Sequence, residues 1–410
     1  MTITASLIIP THNRSALLKK MLDTLELQAF PLQNFQVIVV ADGCNDNTVE
    51  MASNYKANFN LIVCELPGRG AASARNKGAS MANGQYLIFA DDDMELSTDF
   101  IKEHVASHTN ENTVVIGYSP FKLESKASIQ RLTLREWWEE KFQEMRRKDH
   151  RFKYDNLTSG NFSISAALFK KLNGFTTSLL CREDYELGYR LIKAAANFQF
   201  AYVAKAFHCD EVTNLHRSLQ RKKSEGMADI QIKKLHPDFI NNEAIYYLSQ
   251  RSISKSVLTR AIQYFPSFTD TIANFGEKMM ALFEKLQLLN SWSTTNYRLH
   301  QYWYLRGLMQ GAGSYKVLYE LIMKPNFFMN EGEKVTIDLD MGLKNAEEKI
   351  DRLQPQAIEF YYGKKLIGIV THEPGTEALK GYHLRKMLKD KFSQELSAVL
   401  FPTHIFERNN

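Results

Sequence analysis

Short apolar segments alternate with helical ones through the first hundred residues, and this alternation restricts the fold more than any other feature of the chain. Ser6-Leu7-Ile8-Ile9 is an apolar run that Pro10 is expected to stop, and Val37-Ile38-Val39-Val40 is a second, ending at Asp42-Gly43. Asn60–Glu65 and Gln85–Phe89 follow as further strands. Between them lie Ser15–Leu27, with Leu17, Leu18, Met21, Leu22 and Leu25 at helical spacing, a helix near Asn47–Ala57, and a helix over Ala71–Met81. Continuously apolar strands separated by helices predict an α/β fold whose mostly parallel sheet is covered by helices on both faces. Such sheets bind ligands in the crevice beyond the carboxyl ends of their strands.

Polar residues collect at that edge. The strands end in Thr11-His12-Asn13, in Asp42 and in Asp91-Asp92-Asp93. Three adjacent carboxylates repel one another, so a fold keeps them for solvation or for a cation. A hard divalent ion such as Mg²⁺ or Mn²⁺ favours carboxylate oxygen and leaves positions for substrate phosphates. The alternative for an acidic triplet is a solvated loop capping the helix that starts near Ser97.

Farther along, Thr113–Tyr118 reads as a strand and is followed by a charged, aromatic helical stretch with Trp137 and Trp138. Gly160–Ser165, a helix around Glu183–Ala195 and a strand Phe198–Val203 complete this half. From about Asn214 to Met323 the chain reads as helical. A small unit follows: strand Val335–Leu339, helix Leu343–Leu353, a hairpin of Ala357–Tyr362 and Leu366–Val370 turning at Gly363-Lys364-Lys365, and a helix over Glu377–Leu400. The expected division is 1–235, 236–325 and 326–410, with Asn326–Glu333 as linker. A 410-residue chain fits two or three domains.

The net charge of +5 is small for this length. It allows acidic substrates or a membrane surface, and no nucleic-acid-binding motif is present. Cys44, Cys64, Cys181 and Cys209 are scattered without a CxxC pair, as expected of reduced thiols in a cytoplasmic protein. The start of the chain lacks the basic and apolar regions of a signal peptide. No apolar stretch approaches the ~20 residues of a membrane span.

Several ordered stretches carry a family resemblance: Ser6–Arg14, Val39–Gly43, Ala74-Arg75-Asn76-Lys77-Gly78, Asp91–Asp93, Gly160-Asn161 and Glu183-Asp184. Residues 5–225 resemble a family 2 glycosyltransferase of the GT-A (Rossmann-like) fold. The likeness departs at Ala41-Asp42-Gly43-Cys44-Asn45-Asp46, where the family often has two acids before the glycine and Ser-Thr after it. The resemblance implies an inverting enzyme that moves a sugar from a nucleotide-diphosphate donor, of UDP type by the expected base contact, to a glycan, lipid-linked or other hydroxyl acceptor. Mn²⁺ or Mg²⁺ would be the cofactor. Peripheral membrane attachment and homo-oligomer formation are compatible with it, and the small terminal unit resembles accessory domains of some bacterial relatives. A non-catalytic sugar-nucleotide-binding protein and a pyrophosphorylase are the alternatives.

The resemblance also assigns roles. Pro10, Thr11, Asn13 and Arg14 would cradle the donor, with helix capping by Asn13 or Ser15 as the other reading. Asp42 would accept from a uracil-type base, or make an Asp-Gly turn. Arg75 would pair with phosphate oxygens or with a surface acid. Asp91 and Asp93 match the DxD motif, Asp91 facing the ribose and Asp93 the metal. Asp92 sits in the same donor-side run, but alternation along an extended segment turns it away. Asp184 would be the general base that deprotonates the acceptor, assisted by Glu183, unless both acids only complement a helix dipole. His208, with His216 as competitor, would be a further metal ligand. Gly160, Asn161, Trp137 and Trp138 are acceptor-side candidates, although aromatics on a helix also pack in cores. The basic stretch Arg217–Lys223 either touches the diphosphate or forms a solvated helix face.

Overall fold

The computed structural model describes residues 3–122, 128–209, 214–249, 253–323, 334–355, 357–371 and 373–400. The expected linker Asn326–Glu333 lies outside them. The first half runs β1 (Ala5–Thr11), α1 (Ser15–Leu25), β2 (Phe35–Asp42), α2 (Thr48–Ser53), β3 (Asn60–Leu66), α3 (Ala71–Met81), β4 (Tyr86–Ala90), β5 (Met94–Leu96), α4 (Phe100–Ala106) and β6 (Thr113–Tyr118). It continues with α5 (Ile129–Met145), β7 (Asn161–Ser165), α6 (Ala166–Lys171), α7 (Glu183–Lys193) and β8 (Asn197–His208). These eight strands form one sheet in the order β3-β2-β1-β4-β7-β6-β8-β5. β3, β2, β1 and β4 are parallel, β7 and β5 run against their neighbours, and β6 pairs parallel with β8.

Both faces of the sheet are covered, which explains its unbroken apolar strands. Leu7, Ile9, Val37, Val39 and Ile88 pack with Leu18, Met21 and Leu22 of α1 and Phe100 of α4. Phe89, Ile116, Phe162 and Ile164 face Phe142 of α5 and Leu187 of α7. Pro10 does not stop the first strand as expected: it pairs in register with Val40, and β1 ends one residue later. A proline near a strand's end costs one ladder donor and is tolerated there.

A helical region follows: α8 (Leu215–Leu235), α9 (Asn242–Ser249), α10 (Ile253–Tyr264), α11 (Pro266–Lys285), α12 (Leu289–Ala312) and α13 (Tyr315–Met323). It has its own core around Trp303, Tyr304, Leu308 and Ile230. α8 and α12 cross where Gly226 and Gly307 meet; a Cβ on Gly307 would lie 2.0 Å from the Lys223 carbonyl oxygen. Only glycine permits so close an approach.

The terminal unit comprises β9 (Val335–Asp338), α14 (Leu343–Leu353), β10 (Ile358–Tyr362), β11 (Lys365–Val370) and α15 (Leu384–Leu400) around a third core that includes Ile337, Ile350 and Phe360. β10 and β11 form the expected hairpin. α15 begins seven residues later than the pattern predicts, because Glu377 serves as a docking strap. Its amide donates to the Phe152 carbonyl at 2.9 Å and its carboxylate accepts from the Phe152 amide at 2.8 Å.

Candidate active site

β1 lies between β2 and β4, so the connections after β1 and β4 leave on opposite sides and open a crevice at the carboxyl edge. The acidic run sits there as a turn, with Asp92 and Asp93 buried, which rules out the solvated loop. Thr11 Oγ1 donates to Asp92 Oδ2 at 2.6 Å. Arg14 Nη1 donates to Asp92 Oδ1 at 3.2 Å and to Asp93 Oδ2 at 2.5 Å. The expected alternation of these acids therefore gives way: a turn brings both onto one guanidinium. Burial pushes Asp92 up to about 6, against the opposing effects of Thr11 and Arg14. Burial also raises Asp93, opposed by His208 and Arg14.

Asp42, closing β2, is taken up by the chain itself. Its Oδ1 accepts from the Gly68 and Arg69 amides at 2.9 and 2.8 Å, and Oδ2 from the Gly70 amide at 2.6 Å. These bonds shape the loop that starts α3, the helix bearing Arg75. Gly43 is in the left-handed region at φ +69°, and a Cβ there would sit 3.0 Å from Gly68 Cα. Asn13 is also left-handed, at φ 53°. Its Oδ1 accepts from the Asn45 amide at 2.7 Å, and α1 has no side-chain cap, so the capping role suggested for Asn13 or Ser15 is not used.

The centre of the crevice is Arg75, which is buried. Nη2 donates to Asp91 Oδ1 at 2.7 Å and Nη1 to Glu183 Oε1 at 2.8 Å, so one fork joins the end of β4 to the start of α7. The loop before β7 makes a second link. The Ser159 amide donates to Asp184 Oδ2 at 3.1 Å, and the Gly160 carbonyl accepts from the Asp91 amide at 3.4 Å. A Cβ on Gly160 would lie 2.6 Å from Asp91 Oδ2, which explains the glycine. Asp184 Oδ1 also accepts from the Tyr185 amide at 2.9 Å. Two backbone donors thus orient a half-buried carboxylate that has lone pairs to spare. Glu183 is raised by burial and by the neighbouring Asp184, with Arg75 opposing.

Asp93 Oδ1 is buried, with no hydrogen-bond partner in the structure, and lies 3.8 Å from His208 Nε2. Strand β8 extends past its predicted end at Val203 to His208, whose backbone pairs with Met94 beside Asp93. His216 instead faces Glu277 at 3.2 Å on the helical region. An unsatisfied carboxylate oxygen beside an imidazole fits a divalent cation. Among the described residues no group of three or more His, Cys, Asp or Glu side chains is placed to hold a metal ion by itself, so this pair would leave the remaining positions to phosphate oxygens.

The acceptor-side candidates divide. Trp137 is half exposed, whereas Trp138 stacks on Phe142 at 5.8 Å and packs against the core. Lys141 Nζ lies 5.4 Å from the Trp138 and Tyr185 ring centres, which places this helix face beside the first turn of α7. Asn161 is fully buried and is a correction to the expected acceptor role. Its Nδ2 donates to the Tyr118 and Ala204 carbonyls at 3.2 Å and its Oδ1 faces His104 Nε2 at 2.8 Å, so no group remains for a ligand. In the basic stretch, Lys222 pairs with Glu225 at 3.0 Å.

Sequence reasoning missed Arg182. It precedes Glu183 in a left-handed conformation, φ 59°, and its guanidinium donates to Glu225 at 2.9 Å, to Glu243 at 3.3 Å and to both oxygens of Asp229. Tyr304 Oη donates to the same Asp229 at 2.6 Å. The signal for it was Asp229, an acid on the apolar face of α8.

Residues 6–172 match the family described as glycosyl transferase family 2. A glycosyltransferase of Bacillus subtilis, YfnE, whose function is uncharacterised, is 36% identical over 141 residues, 32% of this chain and 36% of that protein. Validoxylamine A glucosyltransferase of Streptomyces hygroscopicus subsp. jinggangensis is 29% identical over 217 residues, 45% of this chain and 50% of that protein. The chain therefore spans half or less of these relatives. A mannosyltransferase of Pyrobaculum calidifontis, solved with GDP-Man and Mn²⁺, shares the fold at a TM-score of 0.51 and 14% identity, covering 75% of this chain and 87% of that one.

Proposed function

We propose, from the match of residues 6–172 to glycosyl transferase family 2 and from the shared fold, that the chain moves a sugar from a nucleotide-diphosphate donor to an acceptor hydroxyl with inversion. The observation that carries the reading is the Arg75 fork, which ties a donor-side acid, Asp91, to the acceptor-side pair Glu183-Asp184.

Thr11, Arg14 and Asp91 line the donor side. Arg14 is placed to exchange a carboxylate for a phosphate oxygen, since its charge and forked geometry suit either. Asp93 and His208 would hold a divalent cation, which when bound supplies Lewis acidity at the diphosphate. Asp184 accepts the proton of the attacking hydroxyl, while the Ser159 and Tyr185 amides keep its lone pairs aimed. A single displacement from the face opposite the leaving group inverts the anomeric carbon. Glu183, paired with Arg75, orients the turn of helix that carries Asp184. Asp42 acts through the loop it shapes, and Trp137 offers an exposed ring for an acceptor sugar. A polysaccharide or glycoconjugate is the product we propose, and the separate cores of the later units support a division of the chain into catalytic, helical and terminal parts.

A panel of nucleotide sugars with Mn²⁺, read as acceptor-independent hydrolysis, tests this reading. Turnover of at least one donor is expected. Failure to turn over or bind any of them would remove the enzyme assignment.

A further inference from the structure

Most large apolar side chains of helix α11 face outward, while Met280 and Phe283 pack on the helical core. Phe265, Phe268, Ile272, Phe275, Leu282 and Leu286 follow one stripe at steps of three, four and seven and are 43–66% exposed. The face turned to the protein is built from Thr269, Ala273 and Met280, which are buried, and Asp270, which pairs with Arg306 at 3.1 Å. With ~200 Å² for a fully exposed large apolar side chain, the stripe presents roughly 700 Å², more than the ~300–600 Å² of the largest patch on an ordinary monomer. Tyr264, 68% exposed at the end of α10, extends it.

The charges around the stripe select its occupant. Lys278, Lys285 and Arg260 are exposed on α11 and α10. The acids of α11 turn away: Asp270 to Arg306, Glu277 to His216 at 3.2 Å, and Glu284 to the Ile129 amide at 3.3 Å. An isologous dimer would bring these cations against themselves. An anionic lipid surface complements them, and aromatic rings with flanking lysines suit the boundary between head groups and acyl chains. No helix among the described residues is long and apolar enough to cross a membrane. We propose that α11 lies flat on an anionic bilayer, with Phe268, Ile272 and Phe275 inserted and Lys278, Lys285 and Arg260 on the head groups.

Co-sedimentation with phosphatidylglycerol and phosphatidylcholine vesicles tests this with the whole chain and no sugar donor, so its result does not depend on the glycosyltransferase reading. The chain should bind the anionic vesicles and release them in high salt. The double variant Phe268→Ser, Phe275→Ser should bind at least about tenfold more weakly, with an unchanged melting temperature. The double variant Lys278→Glu, Lys285→Glu, which keeps the stripe, should lose the preference for phosphatidylglycerol. Absence of binding by the wild type, or binding by both variants equal to that of the wild type, overturns the proposal. So does a wild-type dimer in light scattering that the phenylalanine variant splits, since the stripe then belongs to a second copy.

Discussion

At the scale of single residues, Arg75 and Asp184 bear the most. Asp184→Asn keeps the shape but only one of the two backbone hydrogen bonds, because its amide nitrogen cannot accept, and it cannot take a proton, so transfer should fall by at least about 10²-fold while donor affinity holds. Steady-state kinetics beside donor titration separates the two, and a fully active variant would exclude Asp184 as the base. Arg75→Lys replaces a fork by one point charge and leaves Asp91 or Glu183 unpaired. A loss of about 10²-fold in kcat is expected, against a small change for a surface ion pair. The acid triplet shows how far single residues could be read from sequence. Its clustering at a strand end was visible, but its partners were not, because Thr11 and Arg14 lie some eighty positions away and meet it only through the pairing of β1 with β4. Asn161 misled for a related reason. A motif shows which residue type recurs, whereas the burial that commits this carboxamide to Tyr118, Ala204 and His104 is a property of the folded sheet.

At the scale of elements, α3 and α14 run over the residues expected, since helical periodicity and clear end signals agreed there. β8 was read short because the residues after Val203, Ala204-Lys205-Ala206, are of types with weak strand preference, and the missing residues carried His208 to Asp93. α4 is held to β7 by a buried neutral histidine. His104 faces Ser163 at 3.0 Å and Asn161 at 2.8 Å, and burial lowers it to about 3, while His108 beside it falls to about 4. A histidine whose folded value is depressed gives stability that is present above its unfolded value near 6.5 and is lost as pH falls towards the folded one. At pH 5 His104 alone should therefore cost about 2 kcal/mol relative to neutrality. Denaturant melts from pH 7 to 5 should show that slope, and His104→Gln should flatten it; an unchanged slope would contradict the assignment. The crossing of α8 and α12 makes a second prediction at this scale. Gly307→Ala must push the helices apart and should destabilise the chain by about 1–3 kcal/mol, measured by denaturant melting. An unchanged midpoint would mean that the close approach is relieved at no cost.

At the scale of the whole molecule, each later unit touches the catalytic half close to α7. Arg182, next to Glu183, is clamped by acids from α8 and α9, and Tyr304 of α12 holds one of those acids. The terminal unit docks on residues 150–154, where the Tyr154 amide donates to the Gly375 carbonyl at 2.8 Å, and a Cβ on Gly188 of α7 would lie 2.3 Å from the Tyr154 carbonyl oxygen. The helical and terminal units thus brace the helix that carries Asp184. A central sheet with a donor crevice could be read from the alternation of strands and helices, but this bracing could not, since it rests on long-range ion pairs and backbone contacts with no sequence period. Donor binding in the proposed reaction rests on a nucleoside diphosphate held through a cation at Asp93 and His208. Calorimetric titration of nucleoside diphosphates with and without Mn²⁺, on the wild type and on Asp93→Ala and His208→Ala, measures this directly. Metal-dependent binding that weakens at least about tenfold in each variant is the predicted result. Binding that is indifferent to Mn²⁺, or unchanged in both variants, would contradict it.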